Sequence, residues 1–416
     1  MVSTSTKPAT DSAYSWLRLA YTLLISGLSS VGMWSVVVLL PAFESDFHLT
    51  RTEASYPYMV VMTGFVIGGV LFGRCADRFG VTPVLMASTA LTGAGFAVSA
   101  WVSSFPLFLG SLLMVGAGTA AGFAPLLADI SHWFNRRRGI AISIASSGSY
   151  LSGVLWPILI SYVLAHGTWR DAHLIIAAIV LVTVIPLSLL LRRSVPETVL
   201  AEADLASSAK RAQMGLSPRL LIGLLAVAGV GCCVAMAMPQ VHLVALCVDR
   251  GLGVGMGSEI LSMTLVAGIL SRLVAGYFSD RLGGVRTLLL GSALQTLSLA
   301  LYLQSDGLTS LYVVSLIFGL SQGGILPAYS MIIREYLPSR DAGGAVSFVM
   351  AATVVGMALG GWLSGWIYEH TGSYDMAFIN GLAWNFLNIL VIGAIFLCSV
   401  RARSLRSSAH PTQGIQ

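Results

Sequence analysis

GRCADRFG, residues 73–80, returns 203 positions later as GYFSDRLG, residues 276–283. Both copies read G-x-x-x-D-R-x-G, and both stand between two long apolar runs. A tight turn joining two membrane helices needs a glycine for its backbone and suits an arginine in the headgroup layer. One copy alone reads equally well as an ordinary solvated turn. Two copies near half-chain spacing point to an internally duplicated membrane protein.

Composition agrees. Of 416 residues, 56% are hydrophobic and 10% are charged, and the mean hydropathy is +0.83. Soluble domains carry about 25% charged residues, so no soluble fold of this length leaves so little polar surface. The net charge of +5 raises nucleic acid as a partner, but the basic residues form no patch with interleaved aromatics. Cys75, Cys232, Cys233, Cys247 and Cys398 follow no metal or disulfide spacing, and four of them sit in apolar runs as small hydrophobes. The seven histidines are scattered without zinc spacing. No G-x-x-x-x-G-K-[ST] run exists to hold ATP. No nucleophile and base meet within the apolar runs. An enzyme is therefore not expected, nor is a cofactor or a metal. The first apolar run is long and lacks a small-residue cleavage site, so it reads as a retained helix.

A membrane span needs roughly 20 mostly apolar residues. Twelve runs qualify: 16–40, 54–75, 83–101, 104–129, 139–164, 172–191, 219–247, 256–279, 285–303, 308–332, 343–368 and 375–400. The expected fold is an all-α integral membrane protein with twelve helices in two pseudo-symmetric bundles of six. Residues 1–15 read as a disordered lead, 16–191 as the first bundle, 192–218 as a charged connection, 219–400 as the second bundle and 401–416 as a disordered basic tail. Runs such as Gly110 to Ala124 and Gly343 to Gly365 are rich in small residues, which lets membrane helices approach closely. In this layout nineteen Lys and Arg residues fall on one side. Arg51, Arg170 and Arg250 fall on the other. That bias places both termini in the cytoplasm of a cell bounded by a cytoplasmic (inner) membrane. Arg272 is the one basic residue left over.

The duplicated turns resemble the signature loops of the major facilitator superfamily, over essentially the whole chain. A finer resemblance is to the monocarboxylate transporter and oxalate/formate antiporter group. It rests on Trp133-Phe134-Asn135-Arg136-Arg137-Arg138-Gly139 with Ala141 and Gly148, on Pro239, His242, Leu243, Asp249 and Gly251, and on Arg272 four residues before Gly276. The resemblance implies the major facilitator fold and an alternating-access carrier of small organic anions, with Arg272 as the substrate arginine of helix eight. The chain departs from the group at three places. Gly268 stands where mammalian-type members carry an aspartate, helix one holds no lysine, and residues 343–368 hold no Lys or Arg. The group's proton site and its dicarboxylate chemistry therefore do not carry over.

Arg272 lies eight residues before Asp280, about 12 Å along a helix at 1.5 Å per residue. That is deep in an apolar layer about 30 Å thick. Such an arginine either faces a cavity and binds a carboxylate with its planar fork, or snorkels toward the cytoplasm or pairs with a structural acid. Asp77, Arg78, Asp280 and Arg281 read as gate or hinge residues, with Asp129 the expected partner in the first half and Glu335 in the second. Simple interfacial anchoring is the alternative. His242, after Pro239 in helix seven, reads as a cavity residue, a proton carrier or a packing residue. Tyr329, Asn385, Trp34 and Ser149 are further cavity candidates, each with internal packing as its alternative. The expected partners are a small monocarboxylate with a proton and membrane lipid, and the expected unit is a monomer. One buried positive charge suits one carboxylate. Anion exchange, efflux of hydrophobic compounds or drugs, and a non-transporting receptor remain alternatives. Neither the 27-residue connection nor the 16-residue tail gives room for a soluble signalling domain.

Overall fold

The computed structural model describes residues 11–131, 133–134, 137–193, 216–305, 307–337 and 339–409. Among them twelve helices are long and apolar enough to cross a membrane. They are α1 (Ala13–Phe47), α2 (Arg51–Ala76), α3 (Val81–Trp101), α4 (Phe105–Ile130), α5 (Ile140–Leu164) and α6 (Trp169–Leu189), followed by α7 (Pro218–Asp249), α8 (Gly253–Ser279), α9 (Gly284–Tyr302), α10 (Leu308–Ile333), α11 (Phe348–Thr371) and α12 (Tyr374–Arg401). The described chain contains no strand. An even number of crossings puts the start of α1 and the end of α12 on one face, called here the terminal face. The opposite one is the distal face.

Polar residues fix the helix starts, because the first turn of a helix leaves N–H groups without partners. Ser12 accepts from the Ser15 N–H ahead of α1, and Ser217 accepts from the Leu220 N–H ahead of α7. Thr50 with Glu53 opens α2, and Thr168 with Asp171 opens α6, each through reciprocal side-chain and backbone bonds. The duplicated turns end on Gly80 and Gly283, both at φ 82°, where L side chains are strained. Each glycine N–H reaches back four residues, to the carbonyls of Ala76 and Ser279.

The repeat is visible in packing as well as in sequence. A Cβ on Gly116 would overlap the Val61 carbonyl oxygen, and a Cβ on Gly319 would overlap that of Thr264. Both members of the second pair lie 203 positions after the first. α4 narrows to a 3-10 turn at Ala120–Gly122, just before Pro125. α10 breaks at Gly323 and Gly324, just before Pro327. Across the seam between the six-helix halves α2 packs on α11, α5 on α8 and α1 on α7.

Several boundaries differ from those expected. α1 begins at Ala13 and runs to Phe47, well past residue 40. Pro41 removes only one helical bond, and the extension is held by rings: Phe43 meets Phe108 at 4.9 Å and Trp169 at 5.2 Å. The last helix continues to Ala409, past the expected end at residue 400, because RARSLRSSA contains no proline or glycine to stop it. Pro239 does not loosen α7, which is one helix from Pro218 to Asp249. Most of the 192–218 connection, the first ten residues and the end of the tail lie outside the described residues.

Arg18 corrects the charge map. It is not a loop charge but is 1% exposed inside α1. Its Nε and Nη2 both donate to the Asp129 carboxylate at 2.8 Å, and Nη2 also donates to the Leu191 carbonyl. The Trp133 ring covers the guanidinium at 4.7 Å. Tyr14, Trp16 and Phe134 complete a small core with Trp133 around it. The Trp-Phe pair of the 133–139 segment is thus a plug that ties the ends of α1, α4 and α6 together.

Losing one member of a buried ion pair strands the other. Asp129→Ala is expected to cost roughly 3–5 kcal/mol of stability. Arg18→Met with Asp129→Leu, which makes the pair apolar, should recover most of it. Thermal unfolding in detergent checks this. A double variant as unstable as Asp129→Ala would mean that the ion pair is not what the site requires.

Candidate functional site

A buried arginine with no ion-pair partner among the described residues sits where two helices are interrupted. α8 is one continuous helix through Arg272, so the depth expected from the spacing to Asp280 holds. Arg272 is 2% exposed. Its Nε donates to the Gly323 carbonyl at 3.1 Å. That carbonyl is available because its helical donor four residues on would be Pro327, which has no N–H. Nη1 donates to the Ser146 carbonyl, at the end of the first helical segment of α5. Arg272 therefore joins a break in each half of the protein. Of the five guanidinium N–H donors, two go to these backbone carbonyls.

Tyr150 lies beneath the cation, its ring centroid 4.0 Å from the Arg272 guanidinium carbon. The ring occupies the notch left by Gly268, where an added Cβ would stand 2.6 Å from Tyr150 Cε2. Gly268 thus makes room for an aromatic ring beneath the cation. The Tyr150 hydroxyl is buried against the same cation. Among the described residues no carboxylate forms an ion pair with Arg272.

Two of the other cavity candidates adjoin this layer. Trp34 Nε1 donates to the Ser149 carbonyl at 2.8 Å, and Ser149 Oγ donates to the Ser146 carbonyl that also receives Arg272. The rest are held elsewhere. Tyr329 donates to Asn388 Oδ1 at 2.9 Å, and Asn385 donates to the Ser292 carbonyl and Thr296 Oγ1, so both belong to a polar network among α9, α10 and α12. His242 Nε2 bonds the Gly361 carbonyl of α11 at 2.7 Å, and its ring faces Tyr374 at 5.7 Å. That places His242 behind the distal seam.

The two duplicated turns also separate into parts. The side chains of Asp77 and Asp280 lie outside the described residues. Arg78 lies over the Phe79 ring, and Arg281 over the Tyr277 ring at 4.3 Å. Asp129 meets Arg18 instead of the Asp77–Arg78 turn. Glu335 does reach the second turn, where its Oε2 accepts from the Gly284 N–H at 3.4 Å and caps the start of α9.

Sequence reasoning missed the distal closure, because Arg51 reads there as a topology charge. Arg51 Nη2 donates to both Asp249 carboxylate oxygens, at 2.9 and 3.0 Å. Its Nη1 lies 3.3 Å from Glu44, and its guanidinium covers the Tyr368 ring. Beside it the Thr52 N–H donates to Glu369 at 3.0 Å. Below these, Ser161 donates to Ser258 and Ser262 to the Val154 carbonyl. The described cross-seam hydrogen bonds thus run from the distal face down to Arg272. The Arg51–Asp249 contact is the one cross-seam ion pair among the described residues.

Arg51→Ala should therefore loosen the distal face. A cysteine placed at Tyr58, whose ring packs against Gly361 in that seam, is the reporter. A bulky hydrophilic maleimide applied from the distal side should label it about tenfold faster in the Arg51→Ala background, the effect of roughly 1.4 kcal/mol. An unchanged rate would mean that the seam is held by packing alone.

Comparison with known proteins bears on the fold and the family. The family model described as Major Facilitator Superfamily matches residues 22–258 and 224–414. Monocarboxylate transporter 13 of Bos taurus is 28% identical over 360 residues, covering 86% of this chain and 82% of that protein. Monocarboxylate transporter 11 of Mus musculus is 27% identical over 394 residues, covering 90% and 86%. Among solved structures, a proton:xylose symporter superposes with a TM-score of 0.70 at 13% identity, covering 91% of this chain and 95% of that one, which is a likeness of fold. With twelve spans, a duplicated turn and a matching family model across nearly its whole length, the chain belongs to the Major Facilitator Superfamily.

Proposed function

We propose that this protein carries small organic monocarboxylates across the cytoplasmic membrane by alternating access, with Arg272 as the carboxylate-binding group. Membership in a superfamily of secondary transporters makes it a carrier and not an enzyme. The observation that carries the narrower reading is Arg272 itself. It is a buried cation held by two backbone carbonyls and a tyrosine, with no carboxylate partner among the described residues. A planar carboxylate matches two parallel guanidinium N–H groups, and one arginine matches one carboxylate. A second carboxylate would be desolvated without a cation to meet it.

Coupling to protons follows from charge balance. An anion entering a negatively polarised cell works against about 2.3 kcal/mol per charge per 100 mV, and a proton moving with it removes that opposition. Neither Asp129 nor His242 stands at the Arg272 site. Asp129 is committed to Arg18, and His242 is bonded to the Gly361 carbonyl. The substrate's own carboxyl group is then the simplest proton carrier. In the proposed orientation both termini are cytoplasmic, so the bonded distal seam closes the outside. The working unit is the monomer, since each chain supplies both halves of the seam.

Two measurements test this. Arg272→Lys and Arg272→Gln should both bind short monocarboxylates poorly in detergent, Gln the worse, because Lys keeps the charge but loses the fork. Correctly folded Arg272→Gln with undiminished affinity would end the reading. In proteoliposomes an inward proton gradient should drive accumulation. Uptake that ignores the gradient and requires an internal counter-anion would replace symport by exchange.

A further inference from the structure

Gln322 is the residue just before the carbonyl that holds Arg272 Nε, at the end of the first helical segment of α10. It is 0% exposed. Its Oε1 accepts from Gln240 Nε2 of α7 at 2.6 Å. Its own Nε2 is buried and has no partner. Buried amides are almost always satisfied, so an orphan N–H₂ at such a place calls for an acceptor that arrives with something else. The depth is that of the arginine: a Cβ on the adjacent Gly323 would meet the backbone of Gly268 and Arg272. Gln240 fixes the direction of the amide. Its N–H occupies the Gln322 oxygen, which turns the Gln322 nitrogen the other way.

The orphan amide nitrogen of Gln322 therefore lies at the depth of the Arg272 guanidinium and the Tyr150 ring beneath it. A carboxylate answers the guanidinium. It leaves the amide unanswered unless the substrate carries a further acceptor. We propose that Gln322, braced by Gln240, is a second recognition group of the Arg272 site and selects carboxylates whose body bears a hydrogen-bond acceptor close to the carboxyl group. This rests on the reading of Arg272 as the carboxylate site. A site built to hydrogen-bond an oxygen discriminates strongly against the analogue that lacks it.

The full-length protein in detergent is titrated with propanoate, 2-oxopropanoate, 2-methoxypropanoate and 2-hydroxypropanoate. The three oxygen-bearing acids should bind at least about tenfold more tightly than propanoate, a factor that corresponds to roughly 1.4 kcal/mol. Gln322→Met, similar in size but without the donor, should reduce all three to the level at which the same variant binds propanoate. A cooperative thermal unfolding transition in detergent shows that the variant is folded. Gln240→Met should reduce the preference in part, since Gln322 keeps its amide but loses its brace. A preference for the oxygen-bearing acids that survives Gln322→Met would overturn the proposal. Preference for the hydroxy acid alone would overturn the assignment of Gln322 as donor, because the oxo and methoxy groups can only accept. Equal binding of all four acids by the unaltered protein would defeat the role of Gln322 and leave that of Arg272 standing. Binding of none would defeat both.

Discussion

A guanidinium in the middle of an apolar layer cannot be left to itself. On insertion scales an arginine there costs about 3 kcal/mol, and more where water and partners are absent. Here the cost is offset by two carbonyls, each at a place where a helix is interrupted, and by a tyrosine ring beneath the charge. The breaks and the cation depend on each other. Without Arg272 the Gly323 carbonyl would be buried with no donor, since Pro327 cannot serve it. Without the breaks Arg272 would have no acceptor among the described residues. Because the two carbonyls belong to different halves, the same charge also holds the halves together at mid-depth. A substrate carboxylate entering this layer would compete with the Ser146 carbonyl for that charge, which links occupancy of the site to the contact between the halves.

The duplication shows where function departs from scaffold. The close approaches at Gly116 and Gly319 and the turns at Gly80 and Gly283 repeat at one offset. The buried charges do not. Arg272 corresponds by that offset to Gly69, while Arg18 and Asp129 correspond to Leu221 and Ile332, both buried and apolar. Each half therefore keeps the common frame and places its charges separately. The first half uses an arginine with its acid, a closed pair that holds three helix ends. The second half uses an arginine with no acid bonded to it among the described residues. That difference is the physical ground for assigning the second arginine to a ligand and the first to stability.

Much of this was legible in the chain. Apolar runs of the right length announce the spans, and the repeated turn announces the two halves. Arg272 could be placed at depth because α8 is unbroken between it and Asp280. Its acceptor could have been found too: a proline four residues after a glycine marks a free carbonyl, and Gly323 with Pro327 has that spacing. Other features were not legible. Arg18 and Asp129 are 111 residues apart, and only packing brings them together. Arg51 looks like any loop charge until Asp249 is folded against it. Tyr329 and Asn385 look like cavity residues in a list of polar side chains. In the fold their partners are Asn388, Ser292 and Thr296. Gln322 drew no attention, because what singles it out is an unmet hydrogen bond, which is a property of its surroundings.

The central claim is that Arg272 trades a backbone carbonyl for a substrate carboxylate. An experimental structure with a short monocarboxylate bound tests it most directly. The account predicts the carboxylate within hydrogen-bond distance of two Arg272 nitrogens and over the Tyr150 hydroxyl, with the bond from Nη1 to the Ser146 carbonyl broken or lengthened. A carboxylate bound elsewhere, with Arg272 still on the carbonyls of Ser146 and Gly323, would contradict it.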